Sequence, residues 1–291
     1  MTEPLLAVSV PGRGRMYQYP GTDDLMPSVT NVIDLLDKPA LPRWAAKEVA
    51  GAAWDQRAAL ATLEDREAAV DLLKGSPWRK RNRAAGIGTT VHAVAEALAR
   101  DETLPSFSDD EAPFIDAFLA FCSDYSPIFQ AVELTVFSET HRYAGTADFL
   151  ATIDGPLILG DSKTGSGVYR EVALQLAALR YGESLWDRET GALSPMPKVA
   201  GCVALHLRPG SYAVHTIDAD EHAFQAFLGL RQAWEWSKDR GGVGPVMSRA
   251  RLAAELSPAA ETEGEAVSTG ATRFDSGPAS PAGVDQEALN V

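Results

Sequence analysis

"YAGTADFLATIDGPLILGDSK", residues 143–163, is the stretch whose reading decides the fold. Two apolar runs, 143–154 and 156–163, flank "IDGP", with Asp154-Gly155 at its centre. Asp-Gly between two such runs is a hairpin signal, because the tight turn that suits twisted strands needs residues tolerant of positive φ. A two-residue loop pairs Ile153 with Pro156. Pro156 has no N–H to complete that pair, so a four-residue loop pairing Thr152 with Leu157 competes with it. Both loops set the same register, in which paired residue numbers sum to 309. Asp148 then faces Asp161 directly, with Cβ atoms about 5 Å apart. Lys163, two residues further on, projects from the same face.

Like charges directly opposite are destabilising, so this pair asks for a counter-charge. A hard divalent cation such as Mg²⁺ supplies one, since it takes oxygen ligands from one or two carboxylates. Lys163 beside it would orient an attacking water and favour its deprotonated form. The bland alternative is a solvated hairpin end in a different, bulged register. A second alternative reads "GDSKTG" (160–165) as a phosphate-cradling loop. Gly160 and Gly165 have the spacing, but Ser166 stands where that loop needs Lys, and Lys163 lies inside the turn.

Working outward, residues 27–75 read as helical, broken at Pro39 and closed by Gly75. Residues 86–100 form another helix, with Val91, Val94, Ala95 and Leu98 on an apolar stripe, and a further helix covers about 110–125. Strands follow at 131–139, 143–154 and 156–163, then a helix at about 171–186. A hairpin, "VAGCVALHLR" and "SYAVHTID", turns at Pro209-Gly210 before a last helix carrying Phe224, Phe227, Leu228 and Trp234. This order predicts an α/β domain with one central mixed sheet flanked by helices. We divide the chain into an N-terminal helical region packed on the core (1–85), the core (86–249) and an acidic tail (250–291). The tail, rich in Ala, Gly, Ser, Pro and Glu, is expected to be disordered.

The chain has 291 residues and a net charge of −14. The tail holds seven acids and two arginines, a net of −5, which leaves −9 for the rest. A broad nucleic-acid-coating surface is excluded, and any such contact must be a local groove. No stretch approaches the roughly 18 apolar residues of a membrane span, and the N-terminus lacks a secretion signal. We therefore expect a cytoplasmic protein without membrane contact. Two cysteines, Cys122 and Cys202, read as buried thiols and are too few for a four-cysteine cluster.

With these elements placed, the chain from about Pro27 to Trp234 resembles the RecB-like branch of the PD-(D/E)XK nuclease superfamily. Four motifs carry the resemblance in order: Gly88-Thr89-Thr90-Val91-His92 on a helix, Gly145-Thr146-Ala147-Asp148 and Asp161-Ser162-Lys163 on strands, and Gln175 in the following helix. The resemblance implies a restriction-endonuclease-like core and metal-dependent hydrolysis of DNA phosphodiesters, typically exonucleolytic and linked to recombination, repair or replication. It implies that His92, Asp148, Asp161 and the Ser162 carbonyl ligate Mg²⁺ or Mn²⁺, that Lys163 assists the attacking water and that Gln175 steadies the site. "MPSVTNVIDLLDKPALPRWAAKEVA" resembles the opening of phage-encoded members, which implies a bacterial host cytoplasm and a single-strand annealing or recombinase protein as a partner besides DNA. The chain matches the members without an iron–sulfur cluster. It departs from the family where a tyrosine often follows the glutamine by four residues: here that position is Leu179, and Tyr181, six residues after Gln175, is about 120° from it around the helix.

Glu96, one turn after His92 on the same face, and Glu133, at the start of the first sheet strand, are accessory candidates along with Tyr181. For DNA contact the best stretch is "WRKRNR", where Arg79, Lys80, Arg81 and Arg83 precede the His92 helix and Trp78 offers a face for an unpaired base. His141, Arg142 and Tyr143 are weaker contact candidates. The competing reading is a non-catalytic DNA- or recombinase-binding protein that retains the nuclease fold. The sequence indicates no oligomeric state.

Overall fold

The Asp154-Gly155 turn forms with both residues at positive φ, 51° and 108°. Ile153 N–H donates to the Pro156 carbonyl, the one bond a proline leaves available, and the ladder proper begins at Thr152–Leu157. Every pair from there to Phe149–Gly160 keeps the sum of 309. These features come from a computed structural model that describes residues 6–63, 65–238, 248 and 251. The chain divides into two units, Met1–Arg240 and Gly241–Val291. In the second, Ser248 Oγ accepts from the Arg251 N–H, and the acidic tail of the sequence reading otherwise lies outside the described residues. All that follows concerns the first unit.

The chain opens with a three-stranded antiparallel meander: β1 (Ala7–Val10), β2 (Gly14–Gln18) and β3 (Leu25–Pro27). The sequence reading had expected a helical region here. It holds only from α1 (Val29–Ile33) on, through α2 (Ala40–Asp55), α3 (Arg57–Leu60) and α4 (Arg66–Lys74). Next, α5 (Ser76–Ala99) starts ten residues before the expected start at residue 86, with Pro77 in its first turn where a missing N–H costs nothing. It therefore runs straight through the expected boundary at residue 85. α6 (Ala112–Tyr125) leads into β4 (Ile128–Ser138), β5 (Tyr143–Thr152) and β6 (Leu157–Lys163). α7 (Glu171–Arg180) is shorter than expected. At Gly182 the chain passes so close to β4 that an added Cβ would lie 2.2 Å from Val136 Cγ1, and a two-stranded ribbon follows, β7 (Ser184–Trp186) and β8 (Leu193–Pro195). The hairpin of β9 (Gly201–Arg208) and β10 (Ser211–Ile217), then α8 (Glu221–Lys238), complete the unit.

The central sheet has seven strands in the order β10-β9-β6-β5-β4-β7-β8. It is mixed: β6 and β9 pair in parallel and the other neighbours are antiparallel. Strand alternation sends Cys202 and Ala204 into one core with α1, α7 and α8, and Val203, Leu205 and Leu207 into the other with α5 and α6. The sheet thus separates two helical layers. Both cysteines are free thiols, Cys202 buried and Cys122 half-buried. Among the described residues, no helix is long and apolar enough to cross a membrane.

Candidate metal centre

β5 presents Asp148 between Glu133 on β4 and Asp161 on β6. The β4–β5 ladder pairs Val132 with Phe149 and Leu134 with Ala147, which sets Glu133 opposite Asp148. Continuing the β5–β6 register by one pair sets Asp161 on the other side of Asp148. Three carboxylates therefore form a row across three adjacent strands, which lie about 4.8 Å apart. Glu133 has φ of 53° in the middle of a strand, a left-handed conformation that a non-glycine residue seldom adopts. Such conformations persist where surrounding structure enforces them, commonly at functional sites. The β5–β6 ladder also stops at this row, and the Ser162 N–H donates to Asp148 Oδ2 at 2.5 Å.

Two cationic groups hold the row. His92 enters from α5, with Nδ1 2.5 Å from Glu133 Oε1 and Nε2 3.1 Å from Asp148 Oδ2. Lys163 Nζ lies 2.6 Å from Asp161 Oδ2 and donates to Gln175 Oε1 at 3.3 Å, while Gln175 Nε2 donates to Asp161 Oδ1 at 2.8 Å. Burial alone would lower the His92 pKa, but Asp148 and then Glu133 outweigh it and push it up to about 11. Burial would likewise raise Asp148, and the His92 charge outweighs it, so that carboxyl is held low. Asp161 goes the other way, up to about 6, through burial and the neighbouring Asp148.

The donor set fits a hard divalent cation. One atom each from His92, Glu133 and Asp148 lie within 4.8 Å of one another, and oxygen-rich sites with an imidazole suit such ions. Glu133 Oε1 and Asp161 Oδ2 are buried, and beyond their ion pairs with His92 and Lys163 they have no hydrogen-bond partner. The cluster can therefore hold a metal ion. Glu133, an accessory residue in the sequence reading, belongs to it, while Asp161 is engaged by Lys163 and Gln175. The hairpin arithmetic applied to the turn before Tyr143 would have found Glu133, because Ser138–Tyr143 and Glu133–Asp148 share one sum. A saturating divalent cation should raise the melting temperature by roughly 5–10 °C, the effect of a ligand near 100 times its Kd. Glu133→Gln should remove most of that shift in a thermal melt with and without EDTA.

The row lies in a cavity of about 680 Å³, walled by α5 on one side and by β2, α1 and α7 on the other. Glu96 lines it, but its carboxylate is held by Arg100 at 3.0 Å and by Arg188. Tyr181 is not among the lining residues; it stacks on Phe224 with centroids 4.9 Å apart. Leu179 packs where a Cβ on Gly145 would stand. Of the four bases, which lie in the first turns of the His92 helix itself, only Arg81 lines the cavity. It stacks on the exposed Trp78, 4.5 Å from the ring centroid. Arg79 donates to the Leu72 carbonyl, Lys80 pairs with Glu48 and Arg83 with Asp110. Tyr143 is buried and donates to the Ala178 carbonyl, Arg142 pairs with Asp24, and His141 packs edge-on against Phe224; none of the three lines the cavity.

"GDSKTG" is no phosphate loop: Gly160 to Lys163 are strand. Sequence reasoning missed Arg15 and Tyr17 of β2, which line the cavity. The alternation in "LAVSV" and "GRMYQ" around Pro11-Gly12 was the available signal. In comparison with known proteins, no family model matches the chain and no curated protein does.

Proposed function

We propose that the protein is a metal-dependent deoxyribonuclease of the RecB-like type, acting as an exonuclease on a restriction-endonuclease-like core. One observation carries the proposal: Asp148 and Asp161 sit side by side on adjacent strands with Lys163 on the same face, inside a cavity that His92 and Glu133 complete. His92, Glu133 and Asp148, joined by Asp161, would hold Mg²⁺ or Mn²⁺, with the Ser162 carbonyl as a further ligand. A cation bound there offsets charge on the phosphoryl oxygens and makes water a stronger nucleophile.

The chain's own residues supply the rest. Gln175 accepts from Lys163 and donates to Asp161, so both are held in one orientation before substrate arrives. Lys163 lines the cavity with N–H capacity to spare, and its ammonium can orient the attacking water and stabilise negative charge on the phosphoryl group. Trp78, stacked on the cavity-lining Arg81, offers a platform for a base, and Arg81 a charge for the backbone. By the same resemblance, the protein would act in phage DNA recombination, repair or replication in a bacterial cytoplasm, beside an annealing or recombinase protein.

The test is incubation of end-labelled single- and double-stranded DNA, with closed circular DNA as control, in Mg²⁺ or Mn²⁺ and in EDTA. We expect degradation from ends, abolished by EDTA and slowed about 10²- to 10⁴-fold by Lys163→Ala. DNA binding without metal-dependent cutting would replace this reading with that of a binding protein.

A further inference from the structure

We infer that Arg15 is a substrate-positioning residue, whose guanidinium holds a backbone phosphate of the DNA strand next to the one hydrolysed. The inference rests on the deoxyribonuclease reading and adds to it an element, β2, that none of the four motifs includes.

The cavity is lined by four carboxylates, and each has a cationic neighbour. Glu96 has Arg100 and Arg188, Glu133 and Asp148 share His92, and Asp161 has Lys163. Two further cations line the same cavity, Arg15 and Arg81, and among the described residues neither pairs with a carboxylate. No local acid thus neutralises either one, although Arg81 stacks on Trp78 and Arg15 hydrogen-bonds the Tyr17 hydroxyl, so both charges can meet an anion that arrives from outside. They come from opposite layers, Arg81 from α5 and Arg15 from the meander whose Met16 packs in the core of α1 and α7. A strand crossing the carboxylate row would therefore meet one arginine on each side.

Arg15 is also held in place. Its carbonyl accepts from the Ser28 N–H at 3.1 Å and from Asn31 Nδ2 at 2.6 Å. The preceding Gly14 has φ of 77°, and an added Cβ there would lie 2.7 Å from the Asn31 side chain, so the β2 backbone is fixed against α1. The Arg15 charge acts on the Tyr17 hydroxyl, opposing the rise in pKa that burial causes. That hydroxyl is bonded to Thr146 Oγ1 at 2.9 Å. Thr146 lies two residues before Asp148 on one face of β5, a step of about 7 Å. The guanidinium is thus tied to the neighbourhood of the carboxylate row rather than to the row itself. Its forked donors match a phosphate's oxygens, and in a chain of net charge −14 such local cations must supply the attraction for a polyanion.

The experiment compares wild type, Arg15→Lys and Arg15→Ala, using whichever end-labelled DNA the wild type degrades. Cleavage is measured at saturating Mg²⁺, and binding in a Lys163→Gln background is measured against salt concentration. Mg²⁺ affinity is followed by thermal shift without DNA. We expect Arg15→Ala to raise KM about tenfold or more, to leave kcat within about threefold and to flatten the logarithmic salt slope by about one. Arg15→Lys should recover part of the KM loss, and Mg²⁺ affinity should not change. If the wild type cuts DNA while Arg15→Ala keeps its KM and salt slope, the inference falls and the nuclease reading stands. If Arg15→Ala instead tightens Mg²⁺ binding with KM unmoved, Arg15 is only a counter-charge and the inference is equally overturned. A wild type that neither cuts nor binds DNA removes the nuclease reading and this inference with it.

Discussion

Replacing Asp161 by asparagine is expected to abolish metal-dependent cleavage and, in EDTA, to raise the melting temperature by roughly 5–10 °C. Asp161 is 1% exposed, and its carboxylate faces that of Asp148 across the hairpin. Burial, then Asp148, lift its pKa from 3.8 to about 6 even though Lys163 pulls it down. An acid whose pKa is raised on folding keeps its proton in the native state longer than in the unfolded chain. Stability is therefore lost as pH rises between these values, amounting to about 3 kcal/mol above the higher one. Asp161→Asn removes that cost with nearly unchanged shape, and its amide oxygen can still accept from Gln175. The gain should be full above about pH 6 and absent below about pH 4. Cleavage should fall about 10³-fold or more, the scale of losing several kcal/mol of charge stabilisation. Melting scans across pH and an end-label assay check both halves. A lower melting temperature for Asp161→Asn would mean that the carboxylate row is not under electrostatic strain.

The second large effect belongs to Gly160. A Cβ built there would stand 1.9 to 2.4 Å from three ring atoms of the buried Phe149, its cross-strand partner. The glycine serves packing: the Phe149 ring lies across the backbone of β6, one residue before Asp161. Gly160→Ala should cost about 3 kcal/mol or more and lower the melting temperature by roughly 10 °C. Phe149→Leu in the same chain should recover part of it, with a coupling above about 1 kcal/mol in a double-mutant cycle. A Gly160→Ala protein melting close to the wild type would show that the ring can move aside cheaply.

The sequence alone was enough for whatever depends on local chemistry. Asp154-Gly155 can take the positive φ values that a tight hairpin requires, so the register could be counted from the turn, and every observed pair agrees with it. Because side chains alternate along strands, that count also put Lys163 on the face of Asp161, where the ion pair and Gln175 hold it. The order of helices and strands from α1 to α8 was readable for the same reason, apart from the breaks between α2, α3 and α4, the early start of α5, the early end of α7 and the short β7–β8 ribbon. What only the tertiary structure decided depends on contacts between distant segments. Glu133 enters the site because a strained residue in β4 turns its carboxylate toward His92. Lys80 and Arg83 are claimed by Glu48 and Asp110, acids that sequence proximity does not join to them. The meander that carries Arg15 reaches the cavity only because α1 and β5 bind it, through Asn31 and Thr146. Local backbone preference acts within a few residues, whereas the far wall of a cavity is set by which surfaces the folded chain buries together.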